Sequence, residues 1–208
     1  MNLEFTTRGL DAFSQLLLRT QDNLDSAAAQ SVNRAADFGR SLASKDIREQ
    51  VNFKANYLNS DDRLAVRKRA SPSDLEAVVR GRDRPTSLAR FATTRPTVGR
   101  GKRRLGVRVK VKGRGGSKTI KGAFFMRLRK GSAAVTEENS NMGLAVRLSE
   151  AEGSINKRAM IPIGSDLYLL YGPSVGQVAR SVFEERAGVI ADQLESEFTR
   201  NAERFIRG

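Results

Sequence analysis

The side chains best suited to hold a divalent cation in this chain are two pairs of adjacent carboxylates, Asp61 with Asp62 and Glu137 with Glu138. Carboxylate oxygens are the ligands that Mg²⁺ prefers, and a bound Mg²⁺ would suit phosphodiester chemistry. The spacing offers no third ligand to either pair, and adjacent carboxylates are usually solvated loop residues. We therefore expect no metal site, and a metal-dependent nuclease ranks third among the possible functions.

A glycine-rich segment, Gly113 to Lys118, has the composition of a loop that wraps a phosphate. It lacks the Gly-Lys-Ser/Thr ending by which backbone amides and a lysine hold a nucleotide. The chain also has no histidine and no cysteine, which removes the commonest general base, thiolate metal sites and every Ser/His or Cys/His nucleophilic arrangement. We expect neither a cofactor nor catalysis.

The strongest chemical signal is a block of positive charge. From Arg84 to Lys130 the chain carries sixteen basic residues and no acidic one, against a formal net charge of +14 for the whole chain. Charge that is this large and this segregated attracts polyanions. The residues that we expect to contact DNA or an acidic partner are Arg100, Lys102, Arg103, Arg104, Arg108, Lys110, Lys112, Arg114 and Lys118.

Two explanations of this basic block stay open. Like charges at alternate positions on one strand face repel one another unless water or anions surround them, so contact with phosphates would explain their presence. Alternatively, lysine and arginine protect an exposed strand edge from aggregation. Few aromatic residues interleave with the basic ones. Any contact with nucleic acid should therefore be directed at the backbone and independent of sequence.

The basic block is expected to lie on a β-hairpin arm at about residues 95–130. Between Leu105 and Lys112, apolar residues alternate with glycine and basic residues, which is typical of a strand with one apolar and one cationic face. Glycines at 113–116 predict a flexible tip, and residues 120–128 predict the second strand. The polar loop that follows, about residues 131–157, contains one short predicted strand at residues 144–148.

Helical periodicity precedes this arm. After a short strand at residues 3–5 and a break at Gly9, apolar residues predict two helices, one over residues 10–17 and one over residues 24–47. The second helix carries a stripe of small residues between Ala27 and Ala43. This stripe would pack closely either against the protein's own sheet or against another subunit.

Two further elements are predicted on either side of the arm. Residues 64–66 and 75–79 read as a hairpin with a proline-containing turn at residues 70–73. Ser174, with Gln177 three residues later, has the capping-box pattern at the start of a long amphipathic helix that reaches the C-terminus. That helix is more acidic than the basic middle of the chain. Head-to-tail charge matching between copies is therefore physically available.

Together these patterns predict an α+β protein with a mixed or antiparallel sheet and a long basic β-hairpin, packed by N-terminal helices and a long C-terminal helix. The length of 208 residues predicts a single domain over residues 1–208. No apolar run approaches the roughly 20 residues of a transmembrane helix, and residues 1–7 lack the pattern of a signal peptide. We expect a soluble protein that is made in the cytoplasm, with no membrane partner.

Four short segments resemble the minor tail protein Z family of tailed bacteriophages, the tail completion proteins. Residues 170–175 are similar to the family's Leu-Tyr-Gly-Pro-Ser segment before its last helix, and residues 31–36 to the Asn-Arg core of its early helix. Residues 81–91 resemble its Gly-Arg-x-x-Pro-x-Ser/Pro-Leu-x-x-Phe segment, and residues 122–125 its Gly-Ala-Phe strand. The segments keep the family's order over nearly the whole chain, whereas residues 131–157 are longer and more polar than expected.

The resemblance implies a structural virion protein, not an enzyme, that is made in the host cytoplasm and located in the neck, at the head-proximal end of the phage tail. It would act in an oligomeric ring that joins the tail to the connector and lines or surrounds the DNA channel. Six copies would match the symmetry of a tail, and twelve that of a portal. The implied partners are the tail terminator, tail tube and head connector proteins, with non-specific contact to genomic DNA through the basic hairpin.

The segment Leu169, Leu170, Tyr171, Gly172 and Pro173 has two interpretations. Gly172 and Pro173 would make the turn that starts the capped helix. Alternatively, Leu169, Leu170 and Tyr171 would form an exposed anchor at a subunit or partner interface.

A protein of a different class is the alternative explanation of the basic block. A sequence-independent nucleic-acid-binding protein, such as a ribosome-associated or packaging factor, would use this block as its whole function. It should bind duplex as a monomer with steep salt dependence, whereas a neck component should show little affinity in isolation.

Overall fold

The computed structural model describes residues 8–60, 63–93, 106–129, 140–150 and 160–207. The chain divides into two compact units. Unit 1 comprises residues 1–43, 65–80 and 182–208, and unit 2 comprises residues 44–64 and 81–181. This division does not test whether residues 1–208 form a single domain, which stays a prediction.

In chain order the helices are α1 (Arg8–Gln50), α2 (Ala55–Asn59) and α3 (Val175–Arg207). The strands are β1 (Leu64–Lys68), β2 (Val78–Gly81), β3 (Thr86–Ser87), β4 (Val107–Val109), β5 (Lys118–Ile120), β6 (Phe124–Arg129), β7 (Ser140–Arg147), β8 (Met160–Pro162) and β9 (Leu167–Gly172). Short 3-10 helices cover Leu88–Phe91 and Leu148–Glu150. Helices combined with antiparallel sheets confirm the predicted α+β class.

Helix α1 is one continuous helix of 43 residues, so the prediction of two helices was wrong. The polar residues 20–23 interrupt the apolar pattern, but they contain neither proline nor glycine. Such residues cost an α-helix only a fraction of a kcal/mol each, about 0.7 at most, and the helix continues through them. Gly9, which was predicted to separate the first strand from the first helix, lies inside α1. The predicted strand at residues 3–5 lies outside the described residues.

In unit 1 the small-residue stripe of α1 packs against α3. A Cβ atom added at Gly39 would lie 3.2 Å from Ile190 Cδ1, so the two helices approach closely there. Asn201 Nδ2 donates to Ser31 Oγ at 2.9 Å, and Ser31 Oγ donates to the Ala27 carbonyl at 2.6 Å. The small-residue stripe therefore packs within the chain at these positions.

The predicted hairpin in unit 1 is confirmed by the pairing of β1 with β2. Ser71 and Asp74 exchange backbone hydrogen bonds at 2.8 and 3.0 Å across its turn. The Asn33 side chain of α1 accepts from the Ala70 backbone N–H and donates to the Ala70 carbonyl, both at 2.9 Å. This two-bond contact fixes the start of the turn on the helix.

Unit 2 contains the main antiparallel sheet, with strand order β3-β9-β7-β6 and β8 paired to β9 beside β3. Strand β7 runs through its interior and is eight residues long, whereas the sequence predicted only a short strand at residues 144–148. Leu144, Ala145 and Val146 are all fully buried. The missed residues, 140–143, are Ser-Asn-Met-Gly. Asparagine and glycine are depleted in strands, so local propensity does not indicate the start of β7.

The basic hairpin consists of β4 and β5, paired antiparallel with Arg108 opposite Thr119. The second predicted strand, residues 120–128, is divided by a turn at Lys121 and Gly122. Gly122 has a φ of 71°, a left-handed conformation that breaks a strand and that glycine adopts at low cost. Strand β6 beyond this turn pairs with β7 instead, so the basic hairpin is shorter than predicted.

Candidate functional site

The structure describes five of the nine residues predicted to contact DNA or an acidic partner. Arg100, Lys102, Arg103 and Arg104 lie outside the described residues. Arg108, Lys112, Arg114 and Lys118 are exposed, and Lys110 is half-buried. Val107 and Val109, which flank Arg108, are 4% and 5% exposed. This alternation confirms the apolar face predicted for the first strand.

The loop of the basic hairpin, residues 110–117, is fixed to the end of α1. The Asn52 N–H donates to the Val111 carbonyl at 2.8 Å, and the Gly113 N–H donates to the Gln50 carbonyl at 2.9 Å. A Cβ atom at Gly113 would lie only 2.2 Å from the Glu49 carbonyl oxygen, so this close approach requires glycine. Arg114 also pairs with the Glu49 carboxylate at 2.8 Å. The exposed cations are therefore held in defined positions relative to the helix end.

The segment from Leu169 to Pro173 lies mainly in the sheet of unit 2. Leu169 and Leu170 are 6% and 2% exposed, because they point into the unit's own core. They do not form the exposed anchor of the second interpretation, whereas Tyr171, Gly172 and Pro173 are half-buried. Ser174 Oγ accepts from the Gln177 N–H at 2.9 Å, which confirms the predicted cap of α3.

A second cationic surface, missed in the sequence, is a cleft in unit 2 with a volume of about 800 Å³. We call it the arginine cleft. Its charged lining residues are Lys54, Arg63, Arg82, Arg84 and Arg90, and no carboxylate is found among the described residues that line it. Aromatic and apolar side chains complete the wall. The cleft is therefore a concave, cationic and partly apolar surface.

Tyr57 forms the centre of the cleft wall. The guanidinium carbon of Arg63 lies 4.1 Å from the centroid of the Tyr57 ring, and that of Arg90 lies 4.6 Å from it. Phe53 stacks on Tyr57 with a centroid distance of 5.5 Å and an interplanar angle of 16°. The Tyr57 hydroxyl is 3.2 Å from Thr86 Oγ1. Cation–π attraction and stacking thus orient two guanidinium groups on one ring.

Arg63 is the buried member of the cleft and is 7% exposed. Its Nη1 donates to the Tyr57 carbonyl at 3.0 Å and to the Ser60 carbonyl at 3.4 Å. The last carbonyls of a helix have no partner within the helix, and Arg63 supplies donors at the end of α2. Arg63 therefore caps the C-terminal end of α2 and also places positive charge in the lining of the cleft.

Close backbone contacts place the segment from Gly81 to Phe91 in the cleft. A Cβ atom at Gly81 would lie 2.7 Å from Gly176 Cα, and the Gly176 N–H donates to the Arg82 carbonyl at 2.9 Å. A Cβ atom at Gly172 would lie 3.1 Å from the Phe91 ring. The lining of the cleft thus includes parts of two segments that carry the family resemblance: residues 82–91 of the segment 81–91, and Tyr171 of the segment 170–175.

The sequence held a partial signal for this cleft. Arg84 and Arg90 belong to the basic block, but Lys54, Arg63 and Arg82 precede it. No periodicity links these positions. A basic residue beside an aromatic one, as at Lys54 and Phe53, was the available hint, and only the folded chain brings the five cations to one cleft.

Both cationic surfaces supply N–H donors and positive charge, which suit carboxylates and phosphates. Among the described residues, no three acidic, histidine or cysteine side chains are grouped closely enough to hold a metal ion. No helix in the described part of the chain combines the length and apolarity required to cross a bilayer. The donors and the positive charge of both surfaces suit anion recognition.

Comparison with known proteins agrees with the resemblance found in the sequence. The family model of prophage minor tail protein Z (GPZ) matches residues 8–207, which includes the hairpin, the cleft and both long helices. No curated protein and no solved structure matches the chain. Because the family model covers nearly the whole sequence, the chain belongs to the prophage minor tail protein Z family.

Proposed function

We propose that this phage tail protein is a ring-forming tail completion component of the neck. It joins the head-proximal end of the tail to the connector, in contact with the tail terminator and tail tube proteins, and surrounds the DNA channel. A hexamer is favoured, because it matches the symmetry of a tail, over a dodecamer that would match a portal. The family assignment supports a structural role in the tail, and the finer placement is our proposal.

The observation that carries the DNA-channel role is the basic hairpin. Arg108 and Lys118 are exposed on paired strands, and the loop that joins these strands is hydrogen-bonded to the end of α1. A fixed cationic surface contacts phosphates without reading sequence. Contacts with DNA in the channel must be weak, because tightly held phosphates would stop ejection.

The double variant Arg108→Gln/Lys118→Gln tests this role in assembled phage particles. We expect normal incorporation and tail joining, with altered DNA retention or ejection. The matched control is Lys45→Gln/Arg204→Gln, which removes two positive charges from exposed positions of the long helices. Loss of tail joining by a normally folded double variant would place the hairpin against an acidic neighbouring ring. Unchanged ejection and unchanged joining would contradict the proposal.

The alternative function, a sequence-independent nucleic-acid-binding protein, is favoured by the net charge of +14. Binding of the isolated protein to duplex DNA at several salt concentrations separates the two functions. The alternative predicts tight binding by the monomer, and a logarithmic salt slope that falls by about 2 in the hairpin double variant. The neck component predicts little affinity in isolation.

A further inference from the structure

We propose that the arginine cleft of one copy binds a carboxylate stripe on α3 of a neighbouring copy. The stripe consists of Glu185, Asp192, Glu195 and Glu203, all of which are exposed. This inference rests on the ring proposed above, and it identifies the two surfaces by which its subunits join.

The stripe follows one face of α3, because its members are spaced seven, three and eight residues apart and a helix repeats every 3.6 residues. Gly188 and Ser196 lie on the same face, and a Cβ atom at Gly188 would have no atom within 4 Å. The neighbouring cation Arg200 is hydrogen-bonded to Glu197. Asp192 and Glu195 are exposed and three residues apart on this face, so their like charges repel one another and gain from a cationic partner.

The cleft fits protein carboxylates better than a DNA backbone. Its walls combine Arg with Tyr57, Phe53 and Met142, and Arg, Tyr, Phe and Met are enriched in protein interfaces. A volume of about 800 Å³ admits several side chains, whereas a DNA duplex is too wide to enter and would touch only the rim. The guanidinium group of Arg90 is already oriented by Tyr57, so less entropy is lost when it binds a carboxylate.

A second copy is the occupant that the charges favour. The cleft carries five cations with no carboxylate among its described lining residues, and the same chain supplies a surface of opposite sign on a different element. A contact between two different surfaces of identical subunits is head-to-tail, and it generates a ring when the rotation closes. Complementary charge also fixes the register of such a contact.

Charge reversal tests the contact in the full chain by sedimentation velocity at low and high salt. Wild type should associate, and salt should weaken the association. Arg84→Glu/Arg90→Glu in the cleft, or Asp192→Lys/Glu195→Lys in the stripe, should each reduce association at least tenfold. A mixture of the two double variants should associate again, because each then offers a surface complementary to the other.

The matched control is Lys45→Glu/Arg48→Glu, which reverses the same number of charges at exposed positions of α1 and should leave association unchanged. Four results would overturn the inference. The first is association that survives reversal of the cleft, and the second is a mixture that does not recover. The third is loss of DNA binding, with association intact, when the cleft is reversed; this would make the cleft a nucleic-acid site. A wild type that is monomeric at every attainable concentration also contradicts the inference.

Cross-linking locates the contact and separates this inference from the proposed function. The chain has no cysteine, so Ala89→Cys in the cleft and Ser196→Cys beside the stripe introduce the only thiols. A short bis-maleimide should join these two variants to each other, while Ser117→Cys at the exposed hairpin tip should not react with Ser196→Cys. If tails contain the protein but this cross-link is absent, the cleft contact is wrong and the tail role stands. If the cross-link forms in purified protein that never enters tails, the tail role is wrong instead.

Discussion

Ser31→Ala tests how strongly one buried polar contact stabilises unit 1. Ser31 is fully buried and Asn201 is 3% exposed. Asn201 Nδ2 donates to Ser31 Oγ at 2.9 Å, so removing the hydroxyl leaves a buried amide without this acceptor. That costs about 1–3 kcal/mol. A loss of about 2 kcal/mol would lower Tm by roughly 4–8 °C in a protein of this size.

The chain supplies a matched control in Ser41→Ala. Ser41 Oγ also donates to a carbonyl four residues earlier, that of Asp37, at 2.9 Å, but Ser41 is exposed. Both substitutions remove the same hydroxyl from the same helix and change helix propensity equally. We expect Ser41→Ala to change stability by less than about 0.5 kcal/mol. The difference between the two variants therefore measures burial and the contact with Asn201.

Urea unfolding of the full chain, followed by circular dichroism, measures both free energies. Asn201→Ala alone should cost less than Ser31→Ala, because Ser31 keeps its bond to the Ala27 carbonyl. The double variant should lose less than the sum of the single losses, with a coupling energy of about 0.5–3 kcal/mol. Equal losses in Ser31→Ala and Ser41→Ala, or strictly additive losses in the cycle, would refute this reasoning.

Three other predictions concern single residues. Gly106→Ala should destabilise the basic hairpin by at least about 1 kcal/mol, because Gly106 has a φ of 86° and a Cβ there would lie 2.4 Å from a carbonyl oxygen of β5. Gly116→Ala is the control, since a Cβ at Gly116 would meet nothing within 4 Å. Amide exchange in β5 should separate the two variants. Ser174→Ala should lower the free energy of unfolding by about 1 kcal/mol through loss of the α3 cap, as measured by urea unfolding. The hydrogen bond from Lys68 lowers the pKa of Asp74, so its stabilisation is present above the unfolded value of about 3.9 and is lost as the pH falls through the lower folded pKa. NMR titration should find a midpoint below 3.9 that Lys68→Gln raises; an unchanged midpoint would contradict the hydrogen bond.

Local sequence patterns were sufficient to predict an element when one of its sides faces water. Val107 and Val109 are buried while Arg108 between them is exposed, as alternation predicts. Ser174 identified the first turn of α3 because a capping side chain acts on backbone only three residues away. The same local reasoning fails in α1, where the apolar periodicity is lost at residues 20–23 but the helix continues, because none of these residues is a proline or a glycine.

The sequence by itself determined that the chain is α+β, that its middle is strongly basic, and that it has no histidine or cysteine chemistry, since these depend on composition and on neighbours a few residues apart. Only the tertiary structure decided that β7 lies inside the sheet and that Lys54, Arg63 and Arg90 share one cleft around Tyr57. Contacts between residues far apart in sequence depend on how elements pack. No local period in the chain encodes that packing.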